Sequence, residues 1–374
     1  MTRKIYSGAR IFDGATLHEG AVLVVEHGRI SGMVPESDAP DGEWIALEGG
    51  VLSPGFVDLQ VNGGGGVQFN DDTSVEALRI MSEAHASTGT AAILPTLITD
   101  TPDRTLAAID AVETAVAQGV PGIAGLHLEG PHLALSRKGA HDGGLIRAMT
   151  DADLEVLMAA AHRLPLLKLT VAPESVRPAQ IARLVRAGAL VALGHSDCSY
   201  DNAMAAFSAG ASCVTHLFNA MSPLRHREPG LVGAALDAET VSAGLIADGV
   251  HVHPAAIRAA VAAKRGQDRI YLVTDAMAPL ASQLQEFRLN GRRVLRRDGR
   301  LTLEDGTLAG ADVTLPQAIR IMTGTVGLPL SQVLAMATSV PGRLLGRKGA
   351  GRLCAGELAR LVHLAEDGSI RKVA

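Results

Sequence analysis

From Ser53 onward the chain alternates short apolar runs with segments of helical pattern, the arrangement of βαβ units around a parallel sheet. Eight apolar runs can be read: Gly55 to Val61, Ala92 to Leu97, Gly122 to Leu128, Leu166 to Ala172, Leu190 to Gly194, Cys213 to Thr215, Val241 to Ala247 and Ile270 to Thr274. Helices are predicted between them over Ser74 to Ser87, Asp103 to Ala117, Asp151 to His162, Pro178 to Ala187, Tyr200 to Ala209 and Pro254 to Arg265. Several of these open on Ser, Thr, Asp or Pro, the residues that satisfy or dispense with the first backbone donors of a helix. Eight strands separated by helices predict a closed barrel.

Both ends of the chain depart from this rhythm. Before Ser53 the pattern is that of short strands and turns, Lys4 to Ser7, Arg10 to Phe12 and then AVLVVEHGRISGMVP with a His27-Gly28 turn. Residues 283–305 form a second interruption, in which Asn290-Gly291 and Asp298-Gly299 are strong hairpin signals. This stretch reads as an inserted hairpin whose arginines, from Arg288 through Arg300, face solvent, and it is assigned no chemistry. Helices are expected over Val313 to Thr323 and Ser331 to Thr338, after which short strands resume and complete the small sheet begun at the N-terminus. The fold class is α/β: a (β/α)8 TIM-like barrel over 54–344, with a small β-sandwich domain formed by 1–53 and 345–374.

A length of 374 residues accommodates such a plan, since a barrel of this type takes roughly 250. Hydrophobic residues make up 47% and the net charge is −5, which fits a globular protein and leaves no general basic surface for nucleic acid. No uncharged apolar run reaches the length of about 18 residues that a membrane span requires, and MTRKIYSGARIF lacks a signal-peptide core, so a cytoplasmic location is expected. Cys198, Cys213 and Cys354 show no paired CxxC spacing and are expected to be buried, inert thiols.

Candidate chemistry gathers where apolar runs end. His195 and His216 each follow such a run, as do Glu129 in GLHLEGPHL and Asp275 in YLVTDAMAP. In a parallel barrel the carboxyl ends of all strands open on one face, so residues distant in sequence meet there. Two imidazoles and one carboxylate suit Zn²⁺ with a fourth position open to water, and the remaining carboxylate can take a proton. The same ligand set also suits Fe²⁺.

The motifs PGFVDLQVNGGGG, GLHLEGPHL, GAH, LGHSD, VTHLFNAM, REPGL, ADGVH, LVTDAMAP and LAG occur in the order seen in the N-acetylglucosamine-6-phosphate deacetylases of the amidohydrolase superfamily, which the chain resembles from about Pro54 to Gly310. The resemblance implies metal-dependent deacetylation of a sugar phosphate by a homodimer. It places the metal ligands on Glu129, His195 and His216, the general acid/base on Asp275, and a carbonyl-polarising role on His141. Asn219 and Ala220 match residues that hold the sugar, Leu308, Ala309 and Gly310 match a loop over it, and Arg227 and His251 match phosphate contacts shared across a dimer interface. Asp248 is expected to shape the loop before His251.

One departure from the wider superfamily bears on mechanism. Where many amidohydrolases carry His-x-His at the end of the first strand, this chain has Gln60-Val61-Asn62. Neutral amides are weak Zn²⁺ ligands, so one metal site is expected, with Gln60 and Asn62 counted among the substrate-facing residues. His132, His253 and His127 receive no metal role, and His127 is expected to face away from the barrel or pack around it. The Gly63 to Gly66 run implies close backbone approach or a mobile loop without the pattern of a P-loop. Alternative readings are the galacto epimer of the substrate, cyclic-amide hydrolysis of the dihydroorotase type, which the loss of paired histidines disfavours, and a sugar-phosphate-binding protein without catalysis.

Overall fold

A computed structural model describes residues 3–371 and Val373, so Met1, Thr2, Lys372 and Ala374 of the expected terminal segments lie outside the described residues. Eight parallel strands form one sheet: β1 (Phe56–Val61), β2 (Thr90–Ile98), β3 (Leu126–Glu129), β4 (Leu167–Val171), β5 (Leu190–Leu193), β6 (Cys213–Val214), β7 (Ser242–Leu245) and β8 (Ile270–Leu272). Each coincides with one of the eight apolar runs, and each pairs in parallel with its sequence neighbour. Closure is made just beyond the end of β8. The Asp275 N–H donates to the Gln60 carbonyl oxygen at 3.0 Å and the Asn62 N–H to that of Ala276 at 2.7 Å. Asp58, fully buried on β1, accepts from the backbone N–H and hydroxyl of Thr274 on the other side of the seam.

The helices begin where their caps predict. Ser74 accepts from the Ala77 N–H ahead of Val75–Ser87, Thr150 forms a reciprocal capping box with Asp153 ahead of Asp151–Arg163, and Ser199 caps Tyr200–Ser208. Two helices escaped the sequence pattern, Gly230–Asp237 and Ser339–Leu344. The first is apolar on every side and almost wholly buried, so it carries no amphipathic signature. The expected helix from Val313 becomes Leu315–Arg320 followed by a π-helical turn, Ile321–Val326.

The barrel interior is partly polar. His127 on β3 lies between the hydroxyls of Thr96 and Thr170, at 3.1 and 2.7 Å, inside the barrel, and the expectation that it faces away is corrected. Strand side chains alternate with period two, so His127 shares the inward face of Glu129. Lys168, also fully buried, donates to the Leu59 carbonyl oxygen at 3.2 Å.

The terminal strands make two sheets. Arg3–Ser7, Ala21–Glu26, Arg29–Pro35 and Glu43–Ala46 form one, while Leu361–Leu364 and Ile370–Arg371 join Val51–Pro54, Arg10–Phe12 and Leu17–His18 in the other. Tyr6, Ile11, Leu23, Val25, Ile30 and Leu52 form the core they share. Val51–Pro54 runs straight on into β1, which attaches the sandwich to the amino end of the barrel. The inserted segment is a four-stranded antiparallel sheet, Glu286–Leu289, Arg292–Arg297, Arg300–Leu303 and Leu308–Ala311. Both of its predicted turns are present, with positive φ at Asn290, Gly291, Asp298 and Gly299. All three cysteines are free thiols, but Cys354 is half-buried, unlike Cys198 and Cys213, because it sits in the loop leading to the last strands.

Candidate active site

Glu129 ends β3, while His195, His216 and Asp275 stand just past β5, β6 and β8. His195, His216 and Asp275 all have positive φ, at 48°, 28° and 51°, as do Phe218 and Ala220 nearby. Non-glycine residues seldom occupy this region, at a cost on the order of 1–3 kcal/mol each, and a cluster of them marks a backbone held for function.

Glu129 Oε1 lies 3.2 Å from His195 Nε2 and 3.0 Å from His216 Nε2, and the two ring nitrogens are 3.1 Å apart. His195 Nδ1–H donates to the Arg137 carbonyl oxygen at 2.9 Å, which in the neutral ring leaves Nε2 as a lone pair directed at the other two atoms. Three electron-rich atoms therefore converge, with the edge lengths expected around a four-coordinate ion with bonds of about 2.0–2.1 Å. A shared proton satisfies this triangle only in part. Burial alone would lower the His216 pKa, yet the Glu129 carboxylate raises it overall. Burial alone would raise Glu129, yet His195 and His216 hold it well below the ordinary carboxylate range. A divalent cation meets all three atoms at once, so the residues present fit a metal site.

Gln60 and Asn62 bridge to the acidic side chains of the site. Gln60 Nε2 donates to Glu129 at 3.2 Å and to Asp275 Oδ1 at 3.1 Å, and Asn62 Nδ2 donates to the same Oδ1 at 2.7 Å. Amide hydrogens thus occupy the space between the two carboxylates. Burial, followed by the charge of Glu129, raises the Asp275 pKa, against the opposing pull of His216, His251 and the Asn62 bond.

His141 lies against His195, ring centroids 4.3 Å apart in an edge arrangement. One of its ring nitrogens falls within 4.8 Å of ligand atoms of Glu129 and His195. Its Nδ1 accepts from the Thr99 N–H at 3.3 Å and contacts the Thr99 hydroxyl at 2.8 Å, so the ring proton belongs on Nε2. Burial and then the neighbouring His195 hold its pKa well down, leaving a neutral N–H donor in place of a further ligand. Sequence reasoning missed Thr99, although it directly follows β2. It also missed Arg292, whose guanidinium donates to the Ala140 carbonyl oxygen beside His141; nothing in the hairpin pattern singles out that arginine from its exposed neighbours.

Glu129, His141, His195, His216 and Asp275 line a pocket of about 240 Å³ with Asn62, Asn219, Ala220, Leu308, Gly310 and His251. Gly310 has φ 70°, and a Cβ there would come within 2.4 Å of Met277. Ala309 points into the apolar cluster of Ile98, Met277 and Leu289. His251 Nδ1–H donates to Asp248 at 2.7 Å, and Asp248 also accepts from the Val250 and His251 N–H groups, so it orders the loop as expected. Arg227 is not brought into this pocket: it lies on the exposed stretch 223–228. His132 is satisfied by the Arg147 carbonyl and His253 caps Pro254–Ala263, both away from the triangle. The glycine run is a close approach, since a Cβ on Gly63 would meet the Val67 carbonyl oxygen at 2.4 Å.

An amidohydrolase family profile matches residues 51–374. The N-acetylgalactosamine-6-phosphate deacetylase of Shewanella sp. (strain ANA-3) is 41% identical over 99% of this chain and 94% of its own. The N-acetylglucosamine-6-phosphate deacetylase of Haemophilus influenzae is 36% identical over 85% of this chain and 83% of its own. The crystal structure of N-acetylglucosamine-6-phosphate deacetylase from Pasteurella multocida superposes with a TM-score of 0.94 at 35% identity, covering 98% of this chain and 97% of that one.

Proposed function

The chain belongs to the amidohydrolase family, and on that premise we propose that it hydrolyses the acetamide of N-acetyl-D-glucosamine 6-phosphate to D-glucosamine 6-phosphate and acetate. The observation that carries this reading is that the Glu129, His195 and His216 triangle and Asp275 line one pocket, the two joined through the buried Gln60 amide. Glu129, His195 and His216 would hold one divalent ion, Zn²⁺ first and Fe²⁺ second. Such an ion supplies Lewis acidity that polarises the amide carbonyl and acidifies water. Asp275 takes the proton of the attacking water and returns it to the departing amine, which leaves poorly without it. His141 donates through Nε2–H to the carbonyl oxygen as negative charge develops there. Asn219, Ala220, Leu308 and Gly310 are assigned to the sugar, with Ala309 packed into the apolar cluster that holds their loop and with Asn62 and Gln60 orienting Asp275.

His251 is assigned to the phosphate from this subunit. Arg227, exposed and not part of the lining of its own pocket, is assigned to the phosphate of a neighbouring subunit, which makes the working unit a homodimer. The division into a sandwich from 1–53 and 345–374 and a barrel from 54–344 belongs to the same reading, supported by the pairing of Leu361–Leu364 with Val51–Pro54. A cytoplasmic location is supported by the unpaired cysteines. Among the described residues no helix is long and apolar enough to cross a membrane.

A second reading, deacetylation of the galacto epimer, is favoured by the identity to the Shewanella enzyme. Acetate release from the two epimers and from unphosphorylated N-acetylglucosamine, measured on metal-analysed protein, decides the matter. Faster release from the gluco phosphate with about one ion per chain supports the proposal, faster release from the galacto phosphate transfers it to the epimer, and no release from loaded protein refutes both.

A further inference from the structure

A second cavity, of about 260 Å³, lies at the opposite end of the barrel from the active site, where β1 and β2 begin and the loop 345–360 crosses beneath them. It matches the active-site pocket in size, and its walls carry Arg29, Arg347, Lys348, Arg352 and Arg360 against a single carboxylate, Glu357. Elsewhere on the surface arginines find acidic partners, as Arg137 does Asp197 at 2.6 Å, Arg183 does Glu155 at 2.6 Å and Arg265 does Asp237 at 3.1 Å. Among the described residues none of the five cavity cations forms such a pair. Arg29 and Arg347 are tied instead to backbone, to the Gly356 and Ala124 carbonyl oxygens at 2.8 and 3.2 Å, which fixes their guanidinium groups without neutralising them. Burial, and then the nearby charge of Arg360, work against the Arg347 cation.

Like charges held around a concavity without a counter-charge repel one another, and an anion between them removes that cost. We propose that this cavity binds a phosphate-bearing small molecule of monosaccharide size. Guanidinium forks match phosphate oxygens in geometry and charge, and Glu357 can accept from hydroxyl or ammonium groups on the rest of the ligand. A nucleic-acid strand does not suit a concavity of about 260 Å³, and the chain as a whole carries a net charge of −5. The site is distinct from the one that binds the substrate, and it does not depend on what that substrate is.

The test is isothermal titration calorimetry with inorganic phosphate and with glucose 6-phosphate, which has no acetamide to hydrolyse, at low ionic strength. Wild-type protein, Arg227→Ala, the pair Lys348→Glu with Arg360→Glu, and the milder pair Lys348→Gln with Arg360→Gln are compared. Lys348 and Arg360 are exposed, so both pairs should fold. Glucose 6-phosphate should still bind Arg227→Ala, and both pairs should weaken that cavity binding by about tenfold or more, as loss of two charge-assisted contacts implies. Deacetylation turnover in both pairs should match wild type. Binding that is equal in wild type and in both pairs, or absent from Arg227→Ala, overturns the proposal.

Discussion

Replacing Asp275 by Asn separates the proton-transfer role from every other role the residue has. Asp275 Oδ1 accepts from Asn62 Nδ2 at 2.7 Å and from Gln60 Nε2 at 3.1 Å, and an asparagine can keep its carbonyl oxygen in that position. Pocket shape and sugar contacts should therefore survive. What disappears is a base that is used twice, once on water and once, as its conjugate acid, on the leaving amine. Positioned acid–base groups contribute about 10²–10⁴-fold, and double use argues for the upper half, about 10³–10⁴-fold, or about 4–5 kcal/mol of transition-state stabilisation. The assay is acetate release under saturating substrate, with metal content measured on the same sample. We expect kcat to fall by that factor, with KM within about threefold, since only an interaction of the transition state is lost. Stability supplies an independent check. Because the folded-state carboxyl pKa is raised by burial and by Glu129, the proton is favoured in the folded state, and stability is lost as pH rises through the folded value. Metal-free Asp275→Asn should then melt at or above wild type at pH 8. Turnover within tenfold of wild type in metal-loaded variant would refute the assignment, and a lowered melting temperature would refute the electrostatic account.

Three further outcomes follow from neighbouring contacts. Thr99→Val keeps the volume but removes the hydroxyl contact to His141 Nδ1, so kcat should drop by about tenfold, one lost hydrogen bond, with KM little changed; an unaltered kcat would remove Thr99 from the positioning of that ring. Asp58 is pushed up to about 7 by burial, despite bonds from Thr274 and Gln60. Its folded state thus favours the proton, and stability should fall as pH rises from about 4 to 7, by at most about 4 kcal/mol at 1.36 kcal/mol per unit; Asp58→Asn should flatten that slope in denaturant titrations. Thr150→Ala removes one half of the capping box on Asp151–Arg163 and should cost about 1 kcal/mol of unfolding free energy, without any change in turnover.

Local chemistry alone was enough to locate the barrel. Each of β1 to β8 is an apolar run too short for a helix and bounded by turn or cap residues, and buried parallel strands write that pattern directly into sequence. Position at a strand end likewise singled out Glu129, His195, His216 and Asp275 before any geometry was known, because a parallel barrel sends all such ends to one face. Other features exist only once the chain has closed on itself. Whether the lone pairs of His195 and His216 meet depends on left-handed backbone at both residues, which nothing in their local sequence demands. His127 is the exception, legible in sequence yet misread, since a period of two counted from Glu129 already places it on the inward face, where Thr96 and Thr170 meet it. Arg292 is one arginine among several on a hairpin, and only the packing of that hairpin over the barrel mouth brings it to Ala140. The basic cavity gathers Arg29 with residues 347–360, more than three hundred positions apart. Periodicity and capping are local and so are carried by the sequence itself; convergence of distant groups follows from strand closure and domain packing, which only the tertiary structure decides.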